Sequence, residues 1–507
     1  MKNYGFIVTV SIVLAMLVAA CAVQKKDRGA DRVLNLTILA PLTTIDPHDT
    51  TNLQDIIFHK QIFEPLLFQN EATGDYEPRV AESYIVSADG LTYTFFLRKN
   101  IMFHNGRELK ASDVVFSFRR AAASPKVRSY LSSVADISSF GEYTVIIKLA
   151  QSDAAFLSSQ NMIFILNQDE VEEQGGEFGT KLTLAGTGPY CLTSLKRDEE
   201  WTCDAFPAYY LGEASIKKMR WVPITDASAG LAAFESGELD WYIAPIANWE
   251  ALSSNPKYQT ELVAANHISF ICINPLNKPL DDDNLRKAIA YAIDKDAMNM
   301  AVFNGNAVNA NFLVPPINTG APNKGITYNY DPALAKEYLA KSAYPDGTNV
   351  GAINCSAGGN YEKMAVVLQE NLAAIGLDCT IKRLDSAVNL EYGRSQRFDL
   401  LATGSEVISD YNYWRIYAHS KAVGTYYVKF EGDKFDYVTM DRLWDEGIAA
   451  TELAKRREIY TQLNNIMMET ATMLPVFYRV QPYVWTADLD IPRNYHMFPQ
   501  VYEWSWR

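Results

Sequence analysis

Residue types that do covalent chemistry are present in this chain, but not at the spacing such chemistry needs. No H-E-x-x-H pair for a zinc protease and no G-x-S-x-G turn for a serine hydrolase occur. Ser215 and Lys218 fit S-x-x-K, yet the companion K-T-G is missing and the stretch is polar. Gly186-Thr187-Gly188 is followed by no helix, so it does not read as a phosphate loop, and no Walker A run appears. The six His are scattered and no C-x-x-C occurs, which argues against a metal centre. The stronger signal is for binding. Ser405, Glu406, Asp410, Tyr411, Tyr413 and Trp414 follow a strand-like run, Arg397 to Gly404. A carboxylate among aromatic rings accepts charge-assisted hydrogen bonds from an ammonium group. The other use of Asp410 is to cap a turn or helix.

Such a cluster needs a scaffold, and the chain has length for two or three cores. Tyr76 to Arg120 reads as short strands feeding a helix. Asp89-Gly90 is a turn pair, Leu91 to Arg98 alternates with period two, and Ser112-Asp113 offers helix-starting oxygens before Val114 to Phe118. Val33–Leu39 alternates as a first strand, and Asn52–Leu67 reads as a helix. Trp221 to Tyr242 reads strand, helix, strand, with Gly230 inside the helix where tight packing is expected. Val350–Cys355, a helix ending at Gly376, and Leu377–Leu384 form a β-α-β unit with parallel strands. Glu458–Met468 is an amphipathic helix, and Leu474–Tyr478 a late strand.

The N-terminus assigns a compartment. Lys2 is a short positive region, Gly5 to Val18 is apolar, and Val18-Ala19-Ala20-Cys21 fits a lipoprotein cleavage site. Residues 1–20 are thus expected to be a signal peptide, Cys21 to carry lipid, and 21–32 to be a polar tether. The apolar run is short of the roughly 20 residues a membrane span needs. Five cysteines remain, an odd number, so at least one thiol is free or pairs in trans. Cys191 and Cys203 could lie across one hairpin, and Cys355 and Cys379 on neighbouring strands; five reduced thiols is the simpler alternative. The 46 basic and 60 acidic residues leave a net charge of −14 without a basic block, which disfavours nucleic acid as a partner.

The run from Pro78 through Ala81-Glu82-Ser83, Asp89-Gly90, Leu97-Arg98-Lys99, Phe103-His104, Gly106 and Asp113-Val114 to Ser117 resembles the extracytoplasmic solute-binding proteins of peptide- and nickel-type ABC importers. Gly186-Thr187-Gly188-Pro189-Tyr190, the segment Trp221–Tyr242, the stretch Asp283–Asp294, Tyr330-Asp331-Pro332 and Leu474–Tyr478 resemble further motifs in the same order, so the likeness spans nearly all of the mature chain.

The resemblance implies an α/β, two-lobed periplasmic-binding-protein-like fold (type II, with an extra domain), mixed sheets and ligand in the cleft between lobes. The implied division is 31–50, 185–267 and 475–507 for lobe 1, 51–184 for an extra domain on it, and 268–474 for lobe 2. It implies a non-catalytic binder that captures peptides, as oligopeptides or dipeptides, for separate ABC permease and ATPase subunits, without cofactor, as a monomer. The place would be extracytoplasmic, lipid-anchored through Cys21. Asp410 would hold the ligand's α-amino group beside Tyr411 and Trp414. Gly404, Ser405, Glu406 and Tyr413 would line the site, and Thr43 and Thr44 would lie in a loop at the cleft. Two departures stand out: Ser405 replaces the family's Trp, with two extra residues before Asp410, and Ala402 stands where some relatives use an Arg for a ligand carboxylate. Alternatives are another solute such as a nickel complex or haem, with His419 nearby, or an adhesion or signalling lipoprotein of the same fold.

Overall fold

A computed structural model of the chain describes residues 32–70, 76–153, 156–196, 198–316, 318, 320–406, 410–421, 435–450, 452–492 and 499–507. The expected signal peptide, Cys21 and most of the expected tether lie outside the described residues. Arg32, expected as the end of the tether, already belongs to the fold. Its guanidinium bonds Asp240 at 2.6 Å, pairs with Asp488, and lies 3.6 Å from the ring centroid of Trp506.

One eleven-stranded mixed sheet runs through the molecule. From one edge its main path is Leu377–Leu384, Thr348–Ser356, Leu400–Glu406, Tyr258–Ile273, Met473–Thr486, Trp241–Ile243, Val33–Ile38, Lys218–Pro223, Glu200–Ala205 and Tyr190–Lys196. The two long strands at its centre, Tyr258–Ile273 and Met473–Thr486, pair antiparallel through most of their length. The register breaks between Ala264 (opposite Val480) and Ile268 (opposite Tyr478), so residues 265–267 face only Arg479. Extra residues on one strand bend it and increase its local twist.

This irregularity separates two cores. On one side Leu34, Leu36, Trp221, Trp241, Val263, Tyr483 and Trp485 pack together. On the other, Ile271, Ile273, Val350, Ile353, Leu400, Leu474, Val476 and Phe477 do. Leu474, Val476 and Phe477 therefore pack apart from Val33–Ile38, contrary to the expected grouping of Val33–Leu39 with a return strand at Leu474. The return strand serves both cores because its residues 473–478 pair with 268–272 and its residues 480–486 with 258–264.

A separate four-stranded antiparallel sheet comprises Ala81–Val86, Thr92–Leu97, Thr144–Leu149 and Val134–Ser139, in that order. It has its own core of Tyr93, Phe95, Leu97, Val145 and Ile147 against Val114 and Phe118 of the helix Ala111–Ala123. The Asp89-Gly90 turn has φ +70° at Gly90 and sets Tyr84 opposite Phe95 and Val86 opposite Tyr93. Period two then places Tyr84, Val86, Tyr93 and Phe95 on one face. At the helix start it is Asp113, three residues in, that accepts the N–H of Lys110 at 2.9 Å.

The Gly-Thr-Gly segment is a packing device. A Cβ on Gly186 or Gly188 would overlap the end of the helix Leu53–Ile62 at Ile62. In their absence the chain docks there: Gly188 N–H donates to Ile62 O at 2.8 Å, and His104 N–H to Gly186 O at 2.9 Å. That helix was expected to reach Leu67; it ends at Ile62 because Phe63 is extended and Pro65 follows. Gly230 packs against the ring of Tyr242, the tight contact its mid-helix position suggested. All five described cysteines are free. Cys355 pairs in register with Arg383, four residues along the strand from Cys379 and so roughly 13 Å away.

Candidate functional site

Asp410 starts the 3-10 turn Tyr411–Trp414, just beyond the strand Leu400–Glu406; Val407–Ser409 between them lie outside the described residues. Its Oδ1 accepts the N–H of Asn412 at 2.7 Å, so it does cap a turn. Its Oδ2 is 3.0 Å from Nη2 of Arg456, in the first turn of the helix Leu453–Glu469. Both side chains are only 6% exposed. One helical turn on, Tyr460 OH accepts from Arg456 Nε at 3.3 Å. Burial pushes the Asp410 carboxyl up, and Arg456 acts against that rise. Burial works against the charge of Arg456 too, but Asp410 and Tyr460 outweigh it and raise its pKa. The net effect leaves the Asp410 carboxyl above its ordinary range even with the Arg456 guanidinium at 3.0 Å.

Two cavities flank this pair, each between the four-stranded sheet's unit and the Asp410–Arg456 region. Asp410 lines one of about 540 Å³ with Ser129, Ser132, Ser133, Gln151, Asp153, Ser158, Asn412 and Tyr413. Arg456 lines the other, of about 620 Å³, with Tyr76, Tyr84, Val86, Tyr93, Leu157 and Leu453. Volumes of roughly 300–1,000 Å³ are typical of small-molecule sites. Tyr76 stands between the two, bonded to Ser158, and burial raises its hydroxyl to about 12. Neither cavity is lined by His, Cys or Met. Among the described residues no group of three or more His, Cys, Asp or Glu could hold a metal ion.

The expected site residues divide. Asp410 and Tyr413 line the first cavity. Tyr413 OH bonds Ser405 Oγ at 2.7 Å and Tyr417 OH at 2.9 Å, which ties Ser405 to the site. Tyr411 and Trp414, expected to shape the pocket, are fully buried beneath it. Tyr411 stacks on Trp444 and Tyr460, and Trp414 Nε1 donates to Leu313 O at 2.8 Å. They hold the Asp410 turn from below and offer a ligand no surface. Gly404 lies in the strand against Tyr361 and His267, with no room for a Cβ, and Glu406 pairs by its backbone with His267.

Thr43 and Thr44 are not brought to these cavities. Both Thr43 N–H and Oγ1 bond Asp55, Thr44 Oγ1 donates to Gly179 O at 3.3 Å, and both residues line a separate hollow of about 10 Å³. The reason is local: this loop is tied down within its own core, with Asp46 bidentate to Arg120 at 2.8 and 2.5 Å. The sequence reading missed Arg456, Tyr76, Tyr84, Tyr93 and Asp153. Arg456 carried one usable signal: it lies on the face of its helix shared with Ile459, Tyr460 and Leu463, where an unpaired charge would be costly.

The comparisons agree with this architecture. The family model described as "Bacterial extracellular solute-binding proteins, family 5 Middle" matches residues 75–425. Heme-binding protein A of Haemophilus influenzae is 26% identical over 83% of this chain and 82% of its own. The glutathione-binding protein GsiB of Escherichia coli is 28% identical over 73% of this chain and 72% of its own. The periplasmic binding protein DppA from Helicobacter pylori, solved with the peptide STSA, superposes with TM-score 0.76 at 22% identity, covering 94% of this chain and 98% of that one. The fold is thus the two-lobed α/β binding-protein fold, and with a family match over more than half its length the chain belongs to the extracellular solute-binding proteins of family 5, which hold a ligand rather than transform it.

Proposed function

We propose that this protein captures short peptides by their free α-ammonium group at Asp410 and hands them to an ABC permease with its ATPase. The observation that carries the reading is Asp410 itself, a buried carboxylate at the wall of a 540 Å³ cavity rich in hydroxyl and amide groups. Arg456, the Asn412 N–H and the Tyr460 hydroxyl occupy part of its accepting capacity, since a carboxylate offers about four lone-pair sites. The names of relatives support the class: one was solved with a peptide, and another is named for glutathione, a tripeptide with a free α-ammonium group. A haem or nickel-complex reading draws no such support from cavity walls without His, Cys or Met.

In this proposal lobe 1 comprises 31–50, 185–267 and 475–507, 51–184 is the added domain and 268–474 is lobe 2, with the start of the return strand, up to Tyr478, packing on the lobe 2 side. The sheet irregularity opposite Arg479 is the crossing about which the lobes close. Lipid on Cys21 anchors the protein, and Cys21→Ser should release or misprocess it; a variant still cleaved and membrane-bound would refute that. The binding test is calorimetry on a two-by-two set, Asp410→Ala against N-acetylation of the peptide. Losing one partner of a buried charge pair costs about 2–5 kcal/mol, or roughly 30- to several-thousand-fold in affinity. Each change alone should cost that much and the two together little more. Additive losses, or unchanged affinity in Asp410→Ala, would place the amino group elsewhere.

A further inference from the structure

The two cavities beside the Asp410–Arg456 pair are lined by different side chains. The Asp410 side presents Ser129, Ser132, Ser133, Asp153 and Asn412 together with Tyr130, Tyr413, Arg415 and Ile448. The Arg456 side presents three tyrosine rings, and its apolar side chains stay in water. Val86 is 42% exposed on one wall and Leu453 49% exposed on the opposite wall, where the helix carrying Arg456 begins. Large apolar side chains left exposed in the lining of one cavity mark a surface awaiting an apolar partner more often than a solvated rim.

The walls are held in place. Tyr93 is 5% exposed and packs on Phe156 with ring centroids 4.8 Å apart, and Tyr84 lies 5.7 Å from Phe95. Both come from the strand pair whose register the Asp89-Gly90 turn sets. On the far wall Tyr460, which accepts from Arg456, fits where Gly320 and Gly447 leave no space for a Cβ. The cavity is thus preformed, with rigid rings on one side and a guanidinium fixed by Asp410 on the other.

We propose that this Arg456-side cavity is a subsite for an aromatic side chain on the ligand's first residue, selected by Tyr84, Tyr93, Leu453 and Arg456. The inference rests on the reading of Asp410 as the ammonium site. Arg456 links the two flanks, lining this cavity while its Nη2 lies 3.0 Å from Asp410 Oδ2, so the first residue of a ligand held at Asp410 is the one nearest to it. An aliphatic side chain would bury the same apolar surface. An aromatic one adds ring–ring contact with the tyrosines and cation–π contact with the guanidinium.

The test is calorimetry with the tripeptides X-Ala-Ala, where X is Ala, Leu, Phe or Trp, and with their N-acetyl forms. Phe and Trp should bind roughly 10- to 100-fold more tightly than Ala, and Leu should fall between. In Tyr84→Ala and in Leu453→Asn, two changes at partly exposed positions, the advantage of Phe over Ala should shrink to a few-fold at most. A flat ranking in the native protein, or a Phe advantage untouched by both variants, overturns the subsite. The ammonium reading fails separately, if N-acetylation costs nothing while the ranking by X persists. If none of the tripeptides binds, both fall.

Discussion

Glu64 and Asp410 are both fully buried carboxylates, and the molecule uses them in opposite ways. Glu64 sits where the first core meets the four-stranded unit, accepting hydrogen bonds from Tyr209 OH at 2.7 Å and Tyr210 OH at 3.0 Å, with Thr187 Oγ1 at 3.5 Å. Its closest partners are neutral donors. Burial therefore pushes its pKa up to about 7, against the pull of those hydroxyls. Asp410 has a guanidinium at 3.0 Å and stands at the wall of a large cavity, where Glu64 faces a hollow of about 30 Å³, room for one or two waters. The contrast separates a carboxylate that joins parts of the chain from one paired with a guanidinium beside open space. A charge held by an arginine is costly to keep for stability alone, since apolar replacement of a buried pair is often neutral or stabilising.

The largest effect expected from this comparison is on the ion pair. Arg456→Met should lower the unfolding free energy by about 3–5 kcal/mol, because it strands a buried carboxylate. The double change Asp410→Leu with Arg456→Met should recover most of that stability while abolishing peptide binding. Urea unfolding together with calorimetry checks both. A double variant as unstable as the single one would make the pair a structural element first.

Next in size is the pH response of Glu64. Its folded pKa lies above the unfolded value, so the stability it supports is full below about pH 4.5 and is lost as the pH rises through about 7. Glu64→Gln keeps an oxygen for both tyrosines and removes the ionisation. It should be more stable than the native protein by about 3 kcal/mol above pH 7, a gain that vanishes toward pH 4.5. The difference between the two proteins is the quantity to follow. His48, His59 and His104, which burial holds neutral down to about pH 4, give both proteins a slope of opposite sign as the pH falls below 6.5. A pH-independent difference would mean that Glu64 is ionised in the fold.

The smallest effect is expected at the cavity rim. Tyr413→Phe removes hydrogen bonds to Ser405 and Tyr417, both near the surface, and should cost about 1 kcal/mol of stability or less. Its effect on peptide affinity should stay within about tenfold, measured on the same calorimetric scale as Asp410→Ala. A loss as large as that of Asp410→Ala would move the centre of the site toward the serine-lined wall.

Local patterns in the sequence are enough to place most elements. Alternation at Leu91–Arg98, the Asp89-Gly90 turn, the helix oxygen at Asp113 and the stop at Gly376 act over a few residues, and the structure keeps each of them. The resemblance carried by Pro78–Ser117 and Gly186–Tyr190 likewise identified the fold and the family, because those residues serve turns and close approaches that any chain of this fold must make. Asp410 was legible on the same terms, as a carboxylate in a recognisable segment.

What the sequence could not decide is which side chains face one another across several hundred residues. Tyr84, Tyr93 and Leu453 meet only because two separately built units close on one gap, and period-two or helical spacing is silent on that. Arg456 reads as a helix residue until the fold sets it 3.0 Å from Asp410. Tyr411 and Trp414 show the same limit in reverse. Their neighbours in sequence reach the cavity, yet the tight turn that begins at Asp410 directs their own rings into the core, where Leu313 and Tyr460 await them. The long return strand makes the point for the whole chain. It is apolar along most of its length on both sides of Arg479, and the three residues bulged opposite Arg479 mark where its first half packs in one core and its second half in the other.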